Sequence, residues 1–135
     1  MIRPFLDAGV LIAAIRGMPD VADRVLALLN DPERVFVASD FVRLEVLPKA
    51  VYFQQRAEVA FYEAYFAAVT KMIAASQSLV AQAYDEAQQA GLAGMDALHV
   101  AAAKAGGVTE FITVEKTTKP LFRVTGLTLH TLLEQ

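Results

Sequence analysis

The stretch that most narrows the folds open to this chain is Gly94-Met95-Asp96-Ala97-Leu98-His99-Val100-Ala101-Ala102-Ala103-Lys104, followed after Gly106-Gly107 by Phe111-Ile112-Thr113-Val114-Glu115. It predicts a helix opening on an aspartate, a turn, and a short buried strand that ends on a glutamate. From Leu98 to Ala103 nearly every side chain is alanine or branched and apolar, so this helix has to be packed on several sides. Asp96 is then held at the rim of a core, which makes it a candidate site residue.

The rest of the chain alternates in the same way. Residues 2–6 form a short apolar run that tolerates Pro4 near a strand start and ends at Asp7, ahead of an apolar helical segment over 9–15. Residues 20–30 set Val21, Val25, Leu28 and Leu29 at helical spacing, with Asp20 as the expected cap and Asn30-Asp31-Pro32 as the stop. Val35-Phe36-Val37-Ala38 is β-branched and aromatic, and Ser39-Asp40 resembles a cap for a helix over 41–49 that Pro48 should kink or stop. A longer helix is expected over 54–70. Its cluster Phe61, Tyr62, Tyr65 and Phe66 exceeds what one helix buries against a small core, so it predicts a two-fold homodimer. Residues 71–75 read as a short strand, Ser76 or Ser78 as a cap, and 79–90 as a helix closed by Gly91. After Glu115, residues 116–120 read as a polar loop or one helical turn, and 124–130 as a last edge strand.

Parallel strands need crossovers of helix length, so this order predicts a three-layer α/β/α domain with a mostly parallel sheet. A chain of 135 residues suits one domain over 1–135. The apolar fraction is 56%, yet no apolar run reaches the roughly eighteen residues of a membrane span. An acid and a proline arrive too early for a signal peptide and cysteine is absent, so a cytoplasmic location is expected. The formal charge of -3 gives no global attraction to nucleic acid; such a partner would need a local patch or a metal.

In open parallel sheets the ligand crevice lies outside the carboxyl ends of the strands. Asp7 and Glu115 end strands, Asp96 opens the helix before the second of these, and Glu45 lies one turn into the helix after strand two. Each has a plainer reading: Asp7 and Asp96 as helix caps, Glu45 and Glu115 as solvated surface. If the four converge, like charges raise one another's pKa unless a cation is present. Oxygen ligands without cysteine or a histidine pair suit Mg²⁺ or Mn²⁺ over zinc. His99 reads as a packed or rim histidine and stays outside this ligand set. Arg43, Lys49, Lys116, Lys119 and Arg123 are the cations nearest the acids in sequence and the candidates to hold phosphates.

On Asp7 after its hydrophobic strand, Glu45 in Val42-Arg43-Leu44-Glu45-Val46-Leu47, Asp96 in Asp96-Ala97-Leu98-His99-Val100-Ala101-Ala102-Ala103, and Thr113-Val114-Glu115, the chain resembles PIN-domain proteins. This is a family of metal-dependent ribonucleases that includes the VapC-type toxins of toxin–antitoxin pairs, and the resemblance covers nearly the whole length. It implies that Asp7, Glu45, Asp96 and Glu115 are the catalytic, metal-binding quartet, with Thr113 hydrogen-bonding within the site and Ser39 near it. It also implies Mg²⁺ or Mn²⁺ as cofactor, RNA as substrate and an antitoxin protein as a partner. Ala8 and Gly9 depart from the family's serine or threonine and asparagine after the first aspartate, and Glu115 replaces a more usual aspartate. A PIN fold that binds a partner without cleaving is the alternative. A phosphoacceptor receiver ranks lower, because Asp7 has no acidic neighbour. A plain scaffold comes last.

Overall fold

Residues 1–133 are described by the computed structural model. In chain order the elements are β1 (Pro4–Leu6), α1 (Ala8–Ile15), α2 (Ala22–Leu29), β2 (Val37–Ser39), α3 (Asp40–Tyr52), α4 (Arg56–Ala68), β3 (Lys71–Ile73), α5 (Gln77–Ala90), α6 (Gly94–Ala105), β4 (Glu110–Thr113), a 3-10 turn (Pro120–Arg123) and β5 (Leu129–Thr131). The five strands form one sheet in the order β3-β2-β1-β4-β5, and every neighbouring pair is parallel. The expected α/β architecture is therefore the observed one.

This order puts β1 in the middle. The chain leaves it for β2 and β3 on one side and returns to β4 and β5 on the other, so the switch point of the sheet lies at the carboxyl end of β1, where Asp7 stands. Phe5 and Leu6 are wholly buried, and Phe5 stacks on its register partner Phe111 with ring centroids 5.4 Å apart. Helix α6 buries Ala97 and the run Val100 to Ala103, as its composition demanded. Small residues let it lie close to the sheet: a Cβ at Gly106, directly after the helix, would fall 2.8 Å from the Val37 side chain.

Several local expectations change. Asp20 is no cap: it takes a left-handed conformation (φ 64°), and α2 starts from Val21 without a side-chain cap bond. Asp96 does not open α6, which begins at Gly94 behind Ala93. Pro48 lies inside α3 and the helix runs on to Tyr52. Leu44 and Pro48 sit on its exposed face, where water can take the carbonyl that proline leaves without a donor. Strand β2 begins two residues later than expected and includes Ser39, whose hydroxyl accepts the Val42 N–H at 3.2 Å and caps α3. Helix α4 starts only after Gln54, which has positive φ. The last edge strand is shorter than expected, because residues 120–123 turn and Gly126 (φ 76°) bends before β5.

The α4 aromatics are not the dimer surface that their local pattern predicts. Tyr62, Tyr65 and Phe66 are buried within the chain and Phe61 is partly buried against the core, so this cluster is core rather than surplus surface. The large apolar side chains left exposed lie elsewhere, notably Leu44, Val51, Tyr52 and Phe53 at α3. Among the described residues no helix is long and apolar enough to cross a membrane.

Candidate functional site

Asp7 follows the central strand and is held on both oxygens. Oδ1 accepts the Ala8 N–H at 2.9 Å, which caps α1, and Oδ2 accepts the Thr113 hydroxyl at 3.0 Å from the end of the neighbouring strand. The plainer reading and the site reading thus coexist in one side chain. Parallel pairing of β1 with β4 sets Leu6 opposite Ile112, which brings Thr113 level with Asp7. Burial raises the Asp7 pKa above its ordinary value; His99, the Thr113 hydroxyl and the Ala8 amide pull it back, while the nearby charge of Asp96 pushes it up.

Asp96 occupies the first turn of α6, where an acid favours the helix dipole. It is half-buried, and its pKa is raised by burial and further by Glu45, against the opposing influence of His99. Glu45 projects from the middle of α3, and its Oε1 lies 2.7 Å from His99 Nε2. Its side chain remains 38% exposed, whereas His99 is buried to 1%. The fold therefore couples Asp7 to Asp96 and Asp96 to Glu45, with His99 acting on both aspartates.

Glu115 stands differently. It lies in a bend two residues beyond β4, where its N–H donates to the Thr113 hydroxyl at 3.1 Å. Its carboxylate makes no hydrogen bond or ion pair among the described residues, and it does not contribute to the shifts at Asp7 and Asp96. The Ser39 hydroxyl caps α3 and is not bonded to the carboxylates. Among the described residues no three His, Asp or Glu side chains are drawn close enough to clasp a metal ion as they stand.

Glycine at position 9 has a physical reason. A Cβ there would lie 2.9 Å from Val114 Cγ2, so glycine lets the segment between Thr113 and Glu115 close on α1.

A cleft of about 480 Å³ opens beside Glu45, between α1, α3 and α4, with Arg16, Val46, Lys49 and Tyr62 on its walls. Of the cations singled out in the sequence, Lys49 lines this cleft, and Arg43 instead lies 5.9 Å over the Phe66 ring. Arg123 donates to the Ala90 carbonyl, while Lys116 and Lys119 are exposed on the loop after Glu115. Sequence reasoning missed Arg16, which pairs with Glu58 at 3.2 Å inside the cleft. It also set His99 aside. The burial expected of a packed histidine is observed, but the partner is an acid 54 positions away; the available signal was its spacing of three from Asp96, which puts both on one helix face.

The family profile described as PIN domain matches residues 5–119. No curated protein sequence matches the chain. Among solved structures it is similar to a chain in VapBC2 from Rickettsia felis bound to a DNA fragment from its promoter, with TM-score 0.72 and 18% identity over 96% of this chain and 98% of that one. A chain of a toxin–antitoxin complex from Klebsiella pneumoniae gives TM-score 0.71 and 20% identity over 96% and 97%. VapC20 from Mycobacterium tuberculosis, described as a Sarcin-Ricin loop cleaving toxin, gives 0.61 and 20% over 80% and 86%. At such identities the likeness is one of fold.

Proposed function

From the premise that the chain belongs to the PIN-domain family, we propose that it is a Mg²⁺- or Mn²⁺-dependent ribonuclease, the toxin of a toxin–antitoxin pair. The observation that carries this reading is the placement of Asp7 at the switch point of the sheet, bonded to Thr113 of the neighbouring strand, with Asp96 in the first turn of α6 and Glu45 bonded to His99 of that same helix. Holding Asp7 buried and Asp96 half-buried with unneutralised charge costs stability, and a divalent cation would remove that cost. The donors are all oxygen, which fits a hard cation. The likeness to VapC20 and to chains of toxin–antitoxin complexes supports the direction of the assignment.

In this reading Asp7, Asp96 and Glu45 hold the cation, and Glu115 joins them from the bend after β4. When bound, the cation supplies activation of a water and positive charge beside the scissile phosphodiester. Thr113 keeps Asp7 in one orientation by donating to Oδ2, and its second role, accepting from the Glu115 amide, ties the fourth acid to the first. Ser39 supports the site indirectly by starting the helix that carries Glu45. Lys49, on the cleft wall beside Glu45, is the best placed of the cations to meet an RNA phosphate, with Lys116 and Lys119 next and Arg43 and Arg123 engaged elsewhere. A homodimer and an antitoxin are the proposed protein partners, with the exposed Leu44, Val51, Tyr52 and Phe53 at α3, rather than the α4 aromatics, as the surface available to them.

The test is cleavage of RNA by the purified chain with Mg²⁺, Mn²⁺ or EDTA, beside Asp7→Asn and Asp96→Asn. Cleavage that needs the divalent ion and disappears in both variants is the expected result; full activity in either variant refutes the site. The exposed Leu44, Val51, Tyr52 and Phe53 favour a second reading, a PIN fold that binds a partner without cleaving. Absence of any metal-dependent cleavage by the wild type selects it.

A further inference from the structure

We propose that His99 is the positioning residue for Glu45, its buried imidazole fixing one carboxylate oxygen and thereby setting where the other meets a divalent cation. The inference rests on the metal reading above. Asp7 needs no such help, since a backbone amide and the Thr113 hydroxyl hold it at a strand end. Glu45 has a longer side chain, stands mid-helix, and finds no backbone donor. Among the described residues His99 Nε2 is its hydrogen-bond partner, at 2.7 Å, and Oε2 is left open.

A carboxylate can only accept, so Nε2 donates, and the separation is short for an N–H···O contact, as charge-assisted bonds are. The donor is rigid where the acceptor is not. His99 is 1% exposed on a helix of buried alanines, with the Phe5 ring centroid 6.4 Å from its own. It stands three residues beyond Asp96 on the same helix, so the bond ties Glu45, 54 positions away, to the element that carries Asp96.

The other ring nitrogen makes no competing contact. Nδ1 is buried and has no hydrogen-bond partner among the described residues. A histidine kept for packing would be expected to satisfy both nitrogens or be replaced by an apolar residue. Here the single satisfied nitrogen is the one that faces the carboxylate. His99 is not itself a ligand in this arrangement, because Nε2 is occupied by Glu45.

The test is a double-mutant cycle on Mn²⁺ affinity, measured by calorimetry with the full chain and Mn²⁺ alone. His99→Leu should weaken binding by about 10- to 100-fold, the usual loss when a group that orients a metal ligand is removed. In a Glu45→Gln background the same change should add little. His99→Gln, whose amide N–H can still donate to Glu45, should recover most of the affinity. Should His99→Leu fail to fold, His99→Asn, whose shorter amide falls short of Glu45, replaces it in the cycle. Unchanged Mn²⁺ affinity in the His99 variant, or full additivity with Glu45→Gln, overturns the positioning role alone. A wild type that binds no Mn²⁺ overturns the metal reading and this inference with it.

Discussion

Replacing Asp7 by asparagine should stabilise the metal-free protein at neutral pH and abolish its stabilisation by Mn²⁺. Asp7 is 8% exposed, and burial is the largest influence raising its pKa from the ordinary 3.8. Asparagine keeps the shape: its carbonyl can still accept the Ala8 N–H, and its amide can donate to Thr113. Two charge-assisted hydrogen bonds become neutral, a loss of about 1 kcal/mol each. Against this stands the effective penalty of a buried, unneutralised carboxylate, several kcal/mol, together with the repulsion from Asp96. The net gain is about 1–2 kcal/mol, or roughly 4–8 °C in Tm for a chain of this size. A folded pKa above the unfolded one means that Asp7's contribution is fully present below about pH 3.8 and is lost as pH rises through the folded value. The advantage of Asp7→Asn should therefore be absent in acid and grow toward neutrality. With Mn²⁺ at about a hundredfold excess over Kd, the wild type gains about 2.7 kcal/mol and the order of melting reverses. Calorimetric melts from pH 4 to 8, in EDTA and in Mn²⁺, read both arms. A Tm for Asp7→Asn below wild type at pH 7 in EDTA would show that the hydrogen bonds outweigh burial, and an intact Mn²⁺ response would remove Asp7 from the ligand set.

Two tyrosines one turn apart on α4 should respond oppositely to loss of their hydroxyls. The Tyr65 hydroxyl is buried without a partner among the described residues, so Tyr65→Phe should stabilise by about 1 kcal/mol; the Tyr62 hydroxyl donates to Glu58 at 3.0 Å, so Tyr62→Phe should cost about 1–2 kcal/mol, both read by urea denaturation. Burial and the Glu58 bond push the Tyr62 pKa up to about 12 and burial pushes that of Tyr65 up as well, so spectrophotometric titration should show two of the four tyrosines ionising late. Gly9→Ala would force the Val114 side chain from a 2.9 Å contact, and overpacking of about 1–3 kcal/mol should outweigh the gain of up to about 1 kcal/mol in helix propensity. If Glu115 helps hold the cation, Mn²⁺ affinity should fall in the same variant. Ser39→Ala removes the cap of α3 and should lower stability by about 1 kcal/mol in denaturant melts while leaving a folded protein.

Much of this fold is decided by short-range chemistry and could be read from the chain alone. Alternating apolar strands and helices, the serines that cap α3 and α5, Gly91 in its left-handed stop, and the all-round apolar character of α6 depend on residues within a turn or two of one another. The acids at strand ends were legible for the same reason, since a parallel α/β sheet offers its crevice at those ends. What neighbours in sequence do not contain is the pairing of distant elements. Only the order β3-β2-β1-β4-β5 puts Thr113 beside Asp7, 106 positions away, and only the packing of α3 near α6 sets Glu45 on His99. Tertiary surroundings also overrode local preference. Pro48 continues a helix because its face is open to water, and Tyr62, Tyr65 and Phe66 of α4, read locally as surplus surface, are buried within the chain. Local propensities are worth tenths of a kcal/mol to about one, whereas burying a large side chain is worth about 1.5–3, so where the two compete packing decides the outcome.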